Sequence, residues 1–565
     1  MFIYVGKYNK NSIKSLELEV DHFDEEFFYS KNKSKKFFND IVDINNEYII
    51  IFIDGIILNS TELKKKYKSD WETTISKMYH EYGLKFFKHL RGSFYGFIYL
   101  KNTMKWTVFS DHIGSKQVYF YENKKILIIS NSISKIYHFL SKSSVNHTLS
   151  INSSYMLLSY GFMLEDNTLS KQVKRLLPGC YLEFRSEEIP EVIEYHAIDN
   201  SPVKMDLNEY IENIDYYFRQ AIKRQFDKDI EYGYQHAVSL SGGLDSRMTS
   251  LVANENGFKN QFNFTFSQID YLDEIISKTI ASDYGHDYSF IPLDNGEYLF
   301  DIEKVINLNG GNSLYNGLAH AFYGYDKLNF ENYGINHTGQ LGDIILGSYS
   351  KSKVQNQSWE MGDGAYSLGM IKKVIRTPKL PYRNYEHFVL FNRGFIGTNS
   401  GLLASQRYTE TMSPFYDVDF MDFVLSIPIK FRFNHYIYIK WILEKYPKAA
   451  DYKWEKTNDK ITSKQWIKYK HRLYTLNEFK HKTFNEILRR LGLSSHIKGM
   501  NPFDYWYKSN HRLKKFINEY YNDHINLVAN EKLKKDLNYA FKKSGCSEKL
   551  QVLSLLASIK LFFCS

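Results

Sequence analysis

The run His236-Ala237-Val238-Ser239-Leu240-Ser241-Gly242-Gly243-Leu244-Asp245-Ser246-Arg247 constrains this chain more than any other stretch. Its first five residues suit a buried strand, Ser241 to Asp245 a tight turn, and Arg247 to Asn254 the start of a helix. Two adjacent glycines let the backbone bend sharply and approach a ligand with no Cβ in the way. The N–H groups of the helix start then converge on one point, which makes an anion site. Ser241 and Ser246 add hydroxyls. Asp245 adds a carboxylate that repels phosphate unless a cation lies between them, and Mg²⁺ suits such a place. The local chemistry predicts nucleotide-phosphate binding, with pyrophosphate the best geometric candidate. Neither GxxxxGK[ST] nor GxGxxG occurs, so the two commonest nucleotide loops are excluded.

A length of 565 residues exceeds what one hydrophobic core supports and predicts at least two domains, 1–200 and 205–565. The net charge of +9, from 73 basic and 64 acidic residues, is modest for this size and calls for no nucleic-acid partner. Cys180, Cys546 and Cys564 lack metal-ligand spacing, and nothing requires an oxidising compartment. No signal-peptide pattern and no membrane span is read, so the expected location is cytoplasmic.

Before residue 195 the chain is dense in strand-like runs, including Met1 to Val5, Tyr48 to Ile57, Gly92 to Leu100 and Trp106 to Ser110. Strands at such short intervals predict an α+β arrangement of antiparallel sheets with helical cover. The lysine-rich stretch Lys31 to Lys36 reads as a solvated loop. After about residue 205 the rhythm changes. A helix over Leu207 to Phe226, the Ser241 turn, a strand over Gln261 to Phe266 and a helix from Asp273 predict an α/β half. Its sheet is expected to be mostly parallel and doubly wound, with helices on both faces. The last hundred residues read as amphipathic helices, with a turn at Gly492-Leu493-Ser494.

The string Ser241-Gly242-Gly243-Leu244-Asp245-Ser246 resembles the pyrophosphate loop of the ATP pyrophosphatases, and in particular of the asparagine synthetases. Thr338-Gly339-Gln340-Leu341-Gly342-Asp343 resembles that family's second glycine-rich segment, with Gln340 and Ile344 in place of two carboxylates. Tyr452 to Thr457 resembles the segment that brings a lysine, here Lys456, over the phosphates, and Lys440 also falls where family members carry a lysine. Asp54-Gly55, Gly92-Ser93-Phe94, Asp111 to Tyr121 and Pro178-Gly179 resemble parts of the glutaminase domain that precedes the synthetase domain. The resemblance implies a degenerate Ntn-hydrolase-like sandwich, because Phe2 stands where the family carries its cysteine and Asp54 replaces an Asn.

The resemblance implies ATP and Mg²⁺, with Asp245 and Asp343 as metal ligands and Lys456 as catalytic cation. Leu240, Ser241, Gly242, Gly243, Asp245, Ser246, Phe264 and Gly339 would bind the nucleotide. The function it implies is adenylation of a carboxylate, aspartate or a related acid, and amide formation with release of AMP and pyrophosphate. Glutamine hydrolysis by the chain itself is not expected. The nitrogen would come from an amine, from free ammonia or from a separate ammonia-supplying subunit. An amidating or macrolactam-forming ligase for a different acid, and a non-catalytic structural paralogue, are the alternatives. Asn309 to Asn316 holds no carboxylate where asparagine synthetases carry a Glu, and Tyr315 and Asn316 are its candidates for aligning a polar substrate.

Overall fold

The computed structural model describes residues 1–6, 19–123, 125–186, 188–347, 349–375, 378–463, 467–469, 472–490 and 499–564. The short strand-forming runs at the start assemble into two antiparallel sheets of six strands each. Alternate residues of a strand face opposite sides, and the second sheet uses both. Ile50, Phe52, Phe97 and Val108 pack with Ile3, Tyr29 and Ile129 of the first sheet. Ile51, Ile53, Phe94 and Phe109 pack with Ile75 and Met78 of the helix Trp71–Tyr82. The result is a sandwich with helical cover.

Five strands of the later region form one parallel sheet: β1 Gln235–Ser239, β2 Gln261–Ser267, β3 Asp287–Pro292, β4 Tyr333–His337 and β5 Thr411–Met412. Their spatial order is β3-β2-β1-β4-β5, so the direction of winding reverses at β1. The carboxyl ends of β1 and β4 are therefore neighbours, and the loops leaving them start side by side. In an open parallel sheet this is the place where ligands bind.

The helices that position those loops are α1 Leu207–Glu231, α2 Leu244–Glu255, α3 Leu272–Tyr284, α4 Tyr315–Asp326, α5 Tyr436–Lys445 and α6 Cys546–Phe562. A capping box of Asp206 and Glu209 starts α1. Near its other end Asp229 is buried, accepting the Ile335 N–H at 2.7 Å and sharing hydrogen bonds with His337 at 2.8 Å and His236 at 2.9 Å. These three residues bring possible metal-ligand atoms together, but the separations are those of hydrogen bonds. They tie α1 to β1 and β4.

Two expectations are corrected. The Lys31 to Lys36 stretch is a loop that is only partly solvated, with Asn32, Lys33 and Lys35 exposed and Lys31 buried. Lys31 pairs with Asp43, Lys36 Nζ donates to the Phe330 and Tyr333 carbonyls, and Asp54 accepts the Ser34 N–H at 2.9 Å. The stretch thus fastens the sandwich to the start of β4. The final hundred residues hold amphipathic helices at His511–His524 and Glu531–Lys543, but α6 is buried on every side from Leu550 to Ile559. Leu550, Val552, Leu553, Leu555 and Leu556 are all buried, as a helix in the middle of a core requires. One continuous apolar cluster runs from Phe2 to these leucines. The turn expected at Gly492 to Ser494 lies outside the described residues. Among the described residues, no helix is long and apolar enough to cross a membrane.

Candidate nucleotide site

The Leu240 N–H donates to the Phe264 carbonyl at 2.9 Å, which holds the chain at the end of β1 before it turns. The Ser241 N–H donates to Ser246 Oγ at 2.9 Å, and the two serine hydroxyls are 2.9 Å apart. The Gly243 N–H donates to Ser241 Oγ at 3.2 Å. The Gly242 N–H donates to Asp273 Oδ1 at 2.7 Å. These three N–H groups of the turn thus have side-chain acceptors, whereas no side chain caps the helix start that follows at Leu244. Asp273, in the first turn of α3, is therefore the carboxylate that meets the glycine turn. Burial pushes its carboxyl up to about 6, against the pull of the Gly242 N–H and with the push of Glu455.

The second glycine-rich segment is pressed against the first. A Cβ on Gly339 would come within 2.3 Å of the Ser246 nitrogen, and one on Gly342 within 2.5 Å of Asp245 Cγ. Leu341 between them has a left-handed backbone with φ 67°. Only glycine lets two backbones approach this closely, so Gly339 spends its small size on the Asp245-Ser246 backbone. Asp343 opens the short helix Gly342–Ile345 and is exposed, whereas Asp245 is partly buried.

Asp245 and Asp343 interact strongly. Burial, and then the Asp343 charge, push the Asp245 carboxyl up to about 8. The Tyr438 hydroxyl, which donates to Asp245 Oδ1 at 2.9 Å, pulls the other way, as do the Asp343 N–H and Lys456. Two carboxylates that oppose each other's ionisation favour a cation between them, and their hard oxygens suit Mg²⁺. The residues present therefore fit the metal that the sequence implies.

Lys456 stands at the turn of a two-stranded hairpin, Lys453–Trp454 with Asp459–Lys460. It is exposed, with its Nζ 5.3 Å from the centre of the Trp454 ring. The hairpin is locked to the first loop. The Glu455 N–H donates to the Gly242 carbonyl at 3.2 Å, and the buried Arg247 donates to the carbonyls of Gly242, Ala449, Tyr452 and Lys453. Arg247 thus holds Lys456 and the glycine loop in one unit.

Phe264 offers no face to a base. Its ring is buried beside Tyr325 at 5.9 Å and Phe330 at 5.8 Å, and its backbone carbonyl is what meets the loop. Lys440 is exposed, while Tyr438 reaches Asp245, because residues two apart on a helix lie on nearly opposite faces. Tyr438, Arg247 and Glu455 are the residues of this site that sequence reasoning gave no role. A basic residue one turn into a helix beside a glycine loop, with no acid at helical spacing, was the available signal for Arg247.

In the sandwich, the Phe2 ring is buried beside Phe28 at 6.0 Å. Asp54 is occupied by Ser34 and by the Tyr95 hydroxyl at 2.8 Å. Cys180 is buried and its thiol pushed up to about 12 by that burial, which keeps it from the reactive thiolate form.

Comparison with known proteins bears on this first region. Residues 40–196 match a glutamine amidotransferase domain. The amidase chyE of Penicillium rubens is 29% identical over 184 residues, 32% of this chain and 25% of that protein. The amidase chry2 of Gibberella zeae is 27% identical over 190 residues, 33% of this chain and 26% of that protein. The alignment thus spans about a quarter of the length of either curated relative. Among solved structures, the chain is similar to glutamine phosphoribosylpyrophosphate amidotransferase from B. subtilis, at 10% identity, TM-score 0.25, 52% of this chain and 90% of that one. It is also similar to NMN synthetase from Francisella tularensis, at 11% identity, TM-score 0.18, 39% of this chain and 94% of that one.

Proposed function

We propose that the chain is an ATP-dependent amide-forming ligase of the asparagine synthetase type, in which the amidotransferase domain, about 1–200, has become a structural partner of a doubly wound ligase domain, about 205–565. The observation that carries this reading is the convergence of Asp245, Asp343 and Lys456 on one glycine-rich loop at the reversal point of a parallel sheet. In the reaction a carboxylate oxygen attacks the α-phosphorus of ATP. The bond from that phosphorus to the α–β bridging oxygen breaks, and pyrophosphate leaves. A nitrogen lone pair then attacks the acyl carbon, AMP leaves with the carboxylate oxygen, and the nitrogen loses a proton.

Mg²⁺ held by Asp245 and Asp343 would supply charge that screens the phosphates. Ser241, Gly242, Gly243 and Ser246 supply donors for the departing pyrophosphate. Lys456 offsets negative charge that grows during transfer, the usual role of a preorganised cation. Leu240 and the Phe264 and Gly339 backbones wall the place where the nucleoside would lie. The nitrogen comes from a substrate amine, from ammonia, or from ammonia delivered by another subunit.

The test is pyrophosphate release by purified variants. Asp245→Ala and Asp343→Ala should each lose about 10²–10³-fold or more. Lys456→Ala should keep its ATP affinity and lose rate, and Asp54→Ala should largely spare the reaction. Full activity in both Asp245→Ala and Asp343→Ala would sink the reading.

A further inference from the structure

A cavity of about 390 Å³, in the size range of small-molecule pockets, lies against residues that bond to the second glycine-rich segment. It is walled by three parts of the chain that are distant in sequence. The amidotransferase domain contributes Tyr160 and Phe162, α4 contributes Asn316 and Gly317, and the helix Leu390–Gly397 contributes Arg393. That last helix is wound as a π-helix, a form found often at functional sites. Its neighbour Thr398 accepts a hydrogen bond from Gln340 at 3.3 Å, and Asn399 accepts a second at 3.0 Å, which links the cavity to the second glycine-rich segment. The Arg393 guanidinium also lies 4.5 Å from the centre of the Tyr349 ring, and Tyr349 in turn feels the charge of Asp343.

The polar lining of the cavity includes Ser313, Asn316, His320, Arg393, Ser400 and Asn501. Asn316 is almost fully buried, yet its Oδ1 meets no donor among the described residues. Arg393 donates to the Gly364 carbonyl at 3.2 Å and forms no ion pair with a described carboxylate. Aromatic and aliphatic side chains make up much of the remainder, among them Tyr160, Phe162, Leu314 and Phe503. Among the described residues, no Asp or Glu lines the cavity. A buried ammonium would find no counter-charge there, and burying an unpaired charge is costly.

The amidotransferase domain builds one side of this cavity. Gly161 and Met163 pair with the 312–314 segment, through Leu314 N–H to the Gly161 carbonyl at 3.0 Å and Met163 N–H to the Asn312 carbonyl at 3.2 Å. The Tyr160 hydroxyl accepts the Gly362 N–H at 2.8 Å, and the Glu165 carboxylate accepts the N–H groups of Lys379 and Leu380. The long segment that brings Gly364 and Tyr366 to the cavity is therefore pinned from that domain.

We propose that this cavity receives the acid to be activated, with Arg393 drawing its carboxylate toward the nucleotide and no counter-charge for a free ammonium. The substrate class is an apolar-bodied acid such as an N-acylated amino acid or an aryl-alkanoic acid, and not a zwitterionic amino acid such as free aspartate. The assignment rests on the adenylation reading above. It gives the amidotransferase domain a task that needs no glutamine chemistry, which is to wall the acid pocket.

The test is exchange of labelled pyrophosphate into ATP by the full chain with Mg²⁺, using N-acetylphenylalanine and 4-phenylbutanoate against free aspartate, beside a separate measurement of ATP binding. Exchange should respond to the first two acids and not to aspartate. Arg393→Ala should raise the KM for the acid about 10–100-fold, the loss expected for a hydrogen bond to a charged group, and leave ATP binding alone. Gly317→Leu is the companion variant. A Cβ at Gly317 meets nothing within 4 Å, so the larger side chain starts in open space at the cavity wall and should abolish exchange in a folded, ATP-binding protein. ATP binding with exchange driven by aspartate alone, with no response to either apolar acid, or with exchange indifferent to Gly317→Leu, overturns the cavity assignment while the adenylation reading stands apart from it. Absence of ATP binding by the unaltered protein defeats the adenylation reading, and this assignment falls with it.

Discussion

Asp245 is the residue on which the chemistry and the stability of the site meet. Its carboxyl, raised to about 8 by burial and then by Asp343, holds a proton that the unfolded chain, with a carboxyl near about 3.9, has released. The folded state therefore binds the extra proton between those two pH values. Stability from this group falls as pH rises from about 4 to about 8 and then levels off. Asp245→Asn keeps an acceptor for the Tyr438 hydroxyl and removes the charge. It should stabilise the metal-free protein at pH 8.5 by about 1–2 kcal/mol, after discounting for partial exposure, with little change at pH 4.5, and should abolish pyrophosphate release. Denaturant titrations at the two pH values check it, and equal effects at both would mean that Asp245 is ionised throughout. The Asp245 signal was legible in the sequence because a carboxylate in a glycine loop is chemically odd. Tyr438 was not legible, because a tyrosine on a helix looks the same whether it fills a core or meets an acid.

At the scale of elements, the site is the contact between two loops and a hairpin. The strand–turn–helix around Gly242 could be read locally, since strand, glycines and helix start follow one another in the chain. The docking of the hairpin through Arg247 could not, because it joins residues about two hundred positions apart. Gly342 measures how tightly the loops fit. A methyl group there would stand 2.5 Å from Asp245 Cγ, so Gly342→Ala must push the loops apart. Displacement of that kind costs about 10²-fold in rate. The variant should stay folded and lose most of its pyrophosphate release. Unchanged turnover in Gly342→Ala would show that the two loops do not act together.

Across the whole molecule, the antiparallel and parallel halves were legible from strand spacing and from the change of rhythm after residue 205. The core helix α6 was missed because a helix buried on all sides carries no amphipathic period to read. Its leucines join a cluster that includes Phe2 and Phe28 of the sandwich, so the two halves share apolar packing. Within the sandwich, Asp54 is fully engaged by Ser34 and Tyr95, and the Cys180 thiol is pushed up to about 12 by burial. The purified chain should therefore release no glutamate from glutamine. Sustained release that a substitution within residues 1–195 abolishes would overturn the structural role given to this domain.

The proposed reaction cleaves ATP between its α- and β-phosphates. Incubation of the protein with ATP, Mg²⁺, an acid and an amine, followed by phosphorus NMR of the products, tests it most directly. AMP and pyrophosphate should form in equal amounts, and only when the acid is present. ADP and orthophosphate as the products would contradict it.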